Sequence, residues 1–430
     1  MYSKAVEIFY YKYRTFFDKD KTAKAYGYWE PYAVAEKFFQ LVKRATKDDL
    51  DSGKIYYALL KSIGVKRSNK CEKLLHKVCT CSMYNISDSE FETQYEKLCT
   101  EIQNTSLTML KDSSIEMLIC ILSSLGLFRA SFLLREKYER KVLDSGSSLQ
   151  KYSVYFQNGQ FGKAYELIQH GISFRILKCF CPRTFKAMER CLLPTVCPDA
   201  VDKTGDFARY LQGKRVYIIG PSDNRTPVVI PEENRVVIRY AYMGAERVGG
   251  YYKTIPTDIS YYNGMHAVTV STMEKTEFLR DLSFAVLKYR LQNTFWNHLN
   301  HKLRVRYADR APYTMQHGVS PNMLQIVLTD LLPLGKINLM VLDNNLYLNR
   351  SYTEGYASNQ VQQKMDDFAF ANQLAKHDVF CNFKYTRALF LQGYFTADSR
   401  LEEILSMTCE QFAEAMEQEY GHMQSVKKTQ

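Results

Sequence analysis

The chain lacks both a long apolar run and an export signal. No uninterrupted hydrophobic segment approaches the roughly 18 to 20 residues that a helix needs to cross a bilayer. The opening residues, Met1 to Glu7, have neither the apolar core nor the small-residue cleavage site of a secretory signal peptide. We therefore expect a cytoplasmic protein, either free or peripheral on the cytoplasmic face of the inner membrane.

Spacings that bind metals are scarce as well. The 11 cysteines are spread over 430 residues, and the pairs Cys79–Cys81 and Cys179–Cys181 are closer than the C-x₂₋₄-C pairs of zinc sites. The Asp-x-Asp sequences that begin at Asp18 and Asp49 lie in a half of the chain with a helical pattern. We expect reduced thiols and an activity that needs no metal and no cofactor.

Positive charge is concentrated near the N terminus. The formal net charge is +11, and residues 1–70 hold 15 Lys and Arg against 8 Asp and Glu, a surplus of 7. Aromatic residues, among them Trp29, are interleaved with these charges. Such a segment can rest on an anionic membrane surface, or it can be the solvated face of a helical domain. Because the chain has no recognised nucleic-acid-binding module or arginine-rich tract, we expect no nucleic acid partner.

Residues 1–200 are predicted to form an all-α domain. A phrase around Gly126 and Ala130 recurs around Gly159 and Ala164, so the glycines are 33 residues apart (159 − 126) and the alanines 34 (164 − 130). This spacing is typical of tetratricopeptide-like helical hairpins, in which Gly closes the turn and Ala lets the two helices approach. The pattern therefore predicts helical hairpins in this half.

Residues 210–430 alternate short strands with helices, after a linker (191–213) that contains Pro and Gly. This alternation predicts an α/β domain with a Rossmann-like, mostly parallel sheet. The predicted strands are Arg215–Ile219, Arg235–Arg239, Asp258–Tyr262, Ile337–Leu342 and His377–Phe383, and the predicted helices are Lys275–Leu291, Asn322–Leu332 and Gln360–Ala375.

Several loops are expected to converge at the carboxyl edge of this sheet. The first, Gly220–Asn224, follows a buried strand, and its small residues allow a phosphate to approach the backbone closely. The second begins at Tyr240, after the next strand. The third, Gln316–Asn322, opens a helix whose first N–H groups suit an anion. The loop Asp343–Asn345 carries side chains suited to a ribose or a base edge.

The order of these loops resembles that of the bacterial sialyltransferases that use CMP-activated sugars. In that family the first strand ends in a Gly-Pro-Ser-like turn, the second in Arg-x-Asn and the third near Tyr-Asn. A later turn opens a helix, and a strand that ends in Asp then leads to a tyrosine-bearing loop. The resemblance covers residues 213–400. The matching segments are Gly220–Ser222, Arg239–Ala241, Ser260–Asn263, His317–Val319, and Asp343 followed by Tyr347 and Tyr352.

The resemblance implies a role for each matching residue. Tyr347 and Tyr352 match tyrosines that hydrogen-bond the departing CMP phosphate, which stabilises the developing charge without a metal. The residues implied to bind the donor are Gly220, Pro221, Ser222, Asn224, Arg239, Tyr240, Asn263, Gly318, Val319, Ser320, Asp343 and Asn344.

Two positions depart from the family's pattern. Ala241 stands where the family has Asn, and no histidine follows the tyrosine loop, where the family's general base is expected. His317 replaces a serine beside the donor's carboxylate, which it can bind as a cation, or it can protonate the leaving phosphate. The general base is then either a residue not identified or one of three candidates, namely Glu354, Asp366 and His266.

Together these features predict a bacterial, metal-independent glycosyltransferase. It would transfer sialic acid, Kdo or a related ulosonic sugar from its CMP donor to a surface-glycan acceptor such as lipopolysaccharide or capsule. A membrane-anchored glycolipid acceptor would agree with the basic segment 1–70. The alternative is a non-catalytic nucleotide- or partner-binding scaffold with a degenerate transferase fold, which the missing histidine favours.

Overall fold

The structure, a computed structural model, describes residues 88–170, 205–288, 304–308, 321–349, 353, 374 and 377–420, with gaps at 109, 111, 125, 225–226, 272, 274–275 and 336. Several sequence predictions fall outside these residues and stay predictions. They concern segment 1–70, most of the linker between the predicted domains 1–200 and 210–430, the turn His317–Ser320, Tyr352, Glu354, Asp366, and the helix Gln360–Ala375 apart from Leu374.

Helices precede the sheet and also surround it. Those that precede it are α1 (Asp88–Asn104), α2 (Asp112–Ser124), α3 (Phe128–Ser145), α4 (Ser148–Gln157) and α5 (Phe161–His170). Those that accompany it are α6 (Asp206–Leu211), α7 (Gly264–Ser271), α8 (Met323–Leu331), α9 (Val379–Leu391), α10 (Ser399–Ser406) and α11 (Cys409–Tyr420). Over the described ranges, no helix combines the length and the apolar character that a bilayer span requires.

The strands form one parallel sheet, which confirms the predicted α/β class. They are β1 (Arg215–Ile219), β2 (Arg235–Tyr240), β3 (Ile259–Tyr262), β4 (Phe284–Leu287), β5 (Val305–Tyr307), β6 (Asn338–Leu342) and β7 (Thr396–Ala397). Within the described residues the sheet has 7 strands in the order β5–β4–β3–β2–β1–β6–β7. Every neighbouring pair is parallel.

Strand β1 is apolar from Val216 to Ile219 because both faces of the sheet are covered. In β1, Val216 and Ile218 face the main core, where helices pack against the sheet. Tyr217 and Ile219 alternate with them and belong to a second cluster, which contains Tyr252 of the loop between β2 and β3. A strand buried on both faces has a continuous apolar run, and this run is the signal by which β1 was predicted.

The predicted strand His377–Phe383 is wrong, because this segment begins helix α9. Asp378 is the N-cap of α9, and its carboxylate accepts a hydrogen bond from the N–H of Cys381 at 3.2 Å. Every residue from Val379 to Phe383 is buried. A segment buried on all sides shows no periodicity that separates strand from helix.

The predicted helix Lys275–Leu291 is also wrong. This segment contains the 3₁₀ turn Glu277–Asp281 and then the buried strand β4. Strands β5 and β7 were not predicted, since their 3 and 2 residues are too few for an alternating pattern. The strands predicted for β1, β2, β3 and β6, and the helix predicted for α8, agree with the structure to within one residue at each end.

The described helices of the first half include the two predicted hairpins. Gly126 joins α2 to α3 and Gly159 joins α4 to α5, and both glycines have a left-handed backbone, with φ of 73° and 67°. The N–H of Leu127 donates to the carbonyl of Leu122 at 2.9 Å, and the equivalent bond of the second hairpin is 2.8 Å long. The same helix-ending turn is therefore used twice. A longer tetratricopeptide-like array stays a prediction.

Helix α3 is held against α9 by buried charges. Arg135 pairs with Asp378, and both side chains are almost fully buried. Lys384 of α9 bonds Glu136 and also Glu139, the latter at 2.8 Å. A buried charge that loses its partner is costly, so these pairs fix the position of α3 on the side of the sheet where α9 lies.

The turn at Gly159 provides a test of the second hairpin. In Gly159→Ala the alanine would have to adopt a φ of 67°. Its Cβ would contact the side chain of Gln392 and lie 2.8 Å from the Cβ of Ala388. We expect a loss of about 1–3 kcal/mol in the free energy of unfolding, measured by urea denaturation.

The matched control is Gly162→Ala, in the first turn of α5, where an added Cβ meets nothing within 4 Å. This change should be neutral or should stabilise the protein by up to about 1 kcal/mol, because Ala is a better helix former than Gly. Equal unfolding free energies for the two variants would contradict the hairpin.

Candidate functional site at the switch point of the sheet

The order of the sheet reverses beside β1. Strands β2 to β5 add on one side of β1, whereas β6 and β7 add on the other. In open parallel sheets, a crevice opens at the carboxyl ends of the strands where the order reverses, and ligands bind there. The loops that follow β1 at Gly220 and β6 at Asp343 therefore form the candidate site.

The turn Gly220–Ser222 packs directly on the loop after β6. The N–H of Gly220 donates to the carbonyl of Leu342 at 2.8 Å, and the N–H of Ser222 donates to the carbonyl of Asp343 at 3.0 Å. Pro221 has no N–H. A Cβ on residue 220 would collide with the carbonyl oxygen of Asp343. The glycine is thus required by the close approach of two backbones, and the N–H groups of the turn are already bonded within the fold.

Asp398 joins both loops to helix α10, and the sequence analysis did not identify it. One carboxylate oxygen accepts the N–H of Asp343 at 2.7 Å and the side-chain amide of Asn224 at 3.1 Å. The other oxygen caps α10 by accepting the N–H of Leu401 at 2.8 Å. Asp398 is 2% exposed. An Asp immediately before an amphipathic helix is an N-cap signal, but nothing in the sequence indicates its bonds to the two distant loops.

Asp343 is the carboxyl that lines the cleft at the end of β6. Its backbone is left-handed, with φ of 49°, and the residue is 8% exposed. Burial raises the pKa of Asp343 to about 7, and the nearby Asp398 and Asp223 add to this effect. The N–H of Asn224 and the charge of Arg239 act in the opposite direction. The Asp343 carboxyl therefore exchanges its proton near neutral pH.

Two arginines share the cleft with Asp343. Arg239, at the end of β2, and Arg247, on the following loop, both line it, and the cleft holds about 560 Å³ including open solvent at its mouth. Arg239 is buried, and its guanidinium donates to the carbonyls of Ile255 and Tyr252 and to the hydroxyl of Thr257. Because the site is desolvated, the pKa of Arg239 falls to about 10, which still leaves the group charged at neutral pH.

The cleft brings together some of the residues that the resemblance implies. Those that line it are Gly220, Pro221, Arg239, Tyr240 and Asp343, together with Ala241 at the position where the family has Asn.

Other residues implied to bind the donor have partners within the protein and do not line the cleft. The side-chain oxygen of Asn263 caps α7 by accepting the N–H of His266 at 2.8 Å. The side-chain oxygen of Asn344 accepts the N–H of Leu346 at 3.2 Å. Ser222 is buried, and its N–H donates to the carbonyl of Asp343. The side-chain contacts of Asn263 and Asn344 give these two residues a structural role.

Tyr347 and His266, two further candidates, lie outside the lining of the cleft. The ring of Tyr347 lies 6.3 Å from the ring of His377, centroid to centroid, and its carbonyl accepts a hydrogen bond from the hydroxyl of Tyr420 at 2.5 Å. His266 is 3% exposed, and burial lowers its pKa to about 4. An imidazole with this pKa is neutral at pH 7. Neither ring nitrogen of His266 has a hydrogen-bond partner among the described residues.

Backbone strain is concentrated at the same strand ends. Ala241 after β2 has φ of 51°, and in the loop after β6 the values are 49° at Asp343, 45° at Leu346 and 75° at Tyr347. A left-handed backbone with positive φ costs a residue other than glycine roughly 1–2 kcal/mol. Such conformations are retained at binding and catalytic sites more often than elsewhere, which supports a functional reading of this edge.

Comparison of the chain with protein-family models, with curated proteins and with solved structures gives no match. The function is therefore argued from the sequence motifs and from the geometry of the cleft.

The raised pKa of Asp343 predicts a pH-dependent stability. An Asp in an unfolded chain titrates near 4, so between about pH 4 and 7 the folded state binds the proton more tightly and stability falls as the pH rises. Asp343→Asn removes this effect. We therefore compare the melting temperature of the variant with that of the unchanged protein at each pH. The difference, variant minus unchanged protein, should be more positive at pH 8 than at pH 5.

Asp144→Asn, at an exposed position, is the matched control, and its difference in melting temperature should not change with pH. If the Asp343→Asn difference is also constant from pH 5 to pH 8, the carboxyl does not titrate as described.

Proposed function

We propose that the chain is a glycosyltransferase that moves an acidic ulosonic sugar, such as sialic acid or Kdo, from its CMP donor to a surface-glycan acceptor. The observation that carries the proposal is the cleft at the switch point. It holds Arg239, Arg247 and Asp343 beside the Gly220 turn, in the position where parallel α/β sheets bind nucleotides.

The charges of the cleft suit this donor. Transfer breaks the bond between the anomeric carbon of the sugar and a phosphate oxygen, so negative charge builds up on the departing CMP. Cations fixed in a partly desolvated cleft stabilise such charge, and Arg239 and Arg247 are the cations that line this one.

Asp343 suits the proton transfer that the reaction requires. The acceptor hydroxyl loses a proton when it attacks the sugar, and an acid–base group with a pKa near the working pH transfers protons most effectively. The carboxyl of Asp343 has this pKa and lines the cleft, whereas His266 does not line it. This function of Asp343 belongs to the proposal, beside the ribose- or base-binding role that the resemblance implies.

A non-catalytic nucleotide-binding protein is the second candidate. It is favoured by the N–H groups of Gly220 and Ser222, which donate to the loop after β6 and so do not present donors to a phosphate. For the transferase, the acceptor is proposed to be a glycan or glycolipid, reached by peripheral contact of segment 1–70 with an anionic membrane.

Thermal unfolding with millimolar CMP, CDP, UDP, GDP or ADP tests the donor class. Ligand at 100 times its Kd adds about 2.7 kcal/mol to the stability of the folded state, so we expect CMP to raise the melting temperature more than UDP, GDP or ADP does. Gly249→Trp, at a residue that lines the cleft, should abolish the shift. Val229→Trp is the control, since Val229 is 84% exposed and does not line the cleft.

A shift with UDP or GDP only would contradict a CMP donor. If CMP binds, release of CMP from CMP-sialic acid and from CMP-Kdo separates the two candidates. Turnover of either donor supports the transferase, and binding of CMP without turnover of any CMP-ulosonic acid supports the non-catalytic protein.

A further inference from the structure

The cleft contains two arginines, Arg239 and Arg247, that form no salt bridge with a described residue. Arg239 donates to two carbonyls and one hydroxyl, all of them neutral. The guanidinium of Arg247 donates to the sulfur of Met243 at 3.8 Å. Among the described residues, neither guanidinium forms a salt bridge, although several other arginines of the same chain do.

Arg239 is the more unusual of the two. It is 6% exposed, and buried charges are normally paired because desolvation of an ion is expensive. Arg135, which is similarly buried, is paired with Asp378. The fold thus holds Arg239 in place with neutral hydrogen-bond acceptors. The carboxyl groups of Asp258 and Asp343 act on its charge without forming a salt bridge, so the guanidinium can still attract an anion in the cleft.

Arg247 complements it from a different element. Arg247 lies at the end of the 3₁₀ turn Ala245–Arg247, on the loop between β2 and β3, and it is exposed. An exposed arginine on a loop can swing toward a ligand, whereas Arg239 is fixed. Guanidinium groups bind phosphate through paired, charge-assisted hydrogen bonds.

We propose that Arg239 and Arg247 form a phosphoryl-binding subsite in this cleft. The subsite takes the phosphate of a nucleotide and does not depend on the base being cytosine. The N–H groups of the Gly220 turn are bonded within the fold. The two arginines therefore bind the anion at the switch point in their place.

Asp343 adjusts the strength of this subsite with pH. Its ionised carboxylate repels a bound anion, and its protonated form does not, so binding strengthens as the pH falls through about 7. The other titratable or charged groups that act on Asp343 or share its surroundings are Asp223 on the loop after β1, Asp398 before α10, Arg239 on β2 and Tyr252 on the loop before β3.

Inorganic sulfate is the probe, because its charge is constant between pH 6 and pH 8. In thermal titrations at fixed ionic strength, we expect saturable stabilisation of the full chain by sulfate. Arg247→Gln should weaken the affinity for sulfate about tenfold, the effect of losing one charged hydrogen-bond donor. Lys253→Gln removes the same charge from an exposed residue of the same loop that does not line the cleft, and it should leave the affinity unchanged.

Two further measurements complete the test. Sulfate should bind more tightly at pH 6 than at pH 8, and Asp343→Asn should remove this difference. CMP should displace sulfate, and free sialic acid should not, since the subsite is assigned to phosphate and not to the sugar carboxylate.

Equal sulfate affinity in Arg247→Gln and the unchanged protein, or the absence of saturable binding, would overturn the proposal. Displacement by free sialic acid and not by CMP would overturn the assignment to phosphate. The outcome is separable from that of the proposed function. Sulfate binding that other nucleotides displace and CMP does not keeps the subsite and rejects the CMP donor. A response to CMP that Arg247→Gln leaves intact rejects the subsite and keeps the donor.

Discussion

The carboxylate of Asp398 is the constraint on which the candidate site depends. It accepts hydrogen bonds from the loop after β1, from the loop after β6 and from the first turn of α10. The N–H of Asp343 and the N–H of Leu401 in α10 are buried donors that must be hydrogen-bonded, and the carboxylate of Asp398 accepts both. Because Gly220 has no side chain, the two loops can also touch backbone to backbone. The width of the cleft follows from these contacts.

The same arrangement sets the electrostatics of the site. Burial raises the pKa of Asp343 and the nearby Asp398 adds to this effect, while Arg239 is buried and forms no salt bridge with a described residue. A cleft with unbalanced positive charge and a carboxyl that titrates near pH 7 is suited to an anionic substrate and to proton transfer. The buried pairs between α3 and α9 support this edge indirectly, since α9 packs in the main core with the sheet.

Much of the sheet could be predicted from the sequence, because β1 and β2 contain the apolar runs Val216–Ile219 and Val236–Ile238. The helical hairpins could be predicted because the Gly126 and Gly159 turns repeat. The segment at Val379 could not, since burial on every side removes its periodicity. The sequence also places Gly220, Arg239 and Asp343 at strand ends, and the fold brings them into one cleft. It does not indicate that Asn263 and Asn344 bond to their own loops, nor that Asp398 bridges two others, because these contacts depend on backbone conformation and on residues distant in the chain.

Both proposals require that ligand binds in the cleft between the ends of β1, β2 and β6. A crystal structure of the full chain soaked with CMP is the decisive measurement. We expect electron density for CMP in this cleft, with the phosphate against the guanidinium of Arg247 and the nucleoside near Asp343. Density for CMP elsewhere, with the cleft filled only by solvent, would show that the cleft is not the ligand site.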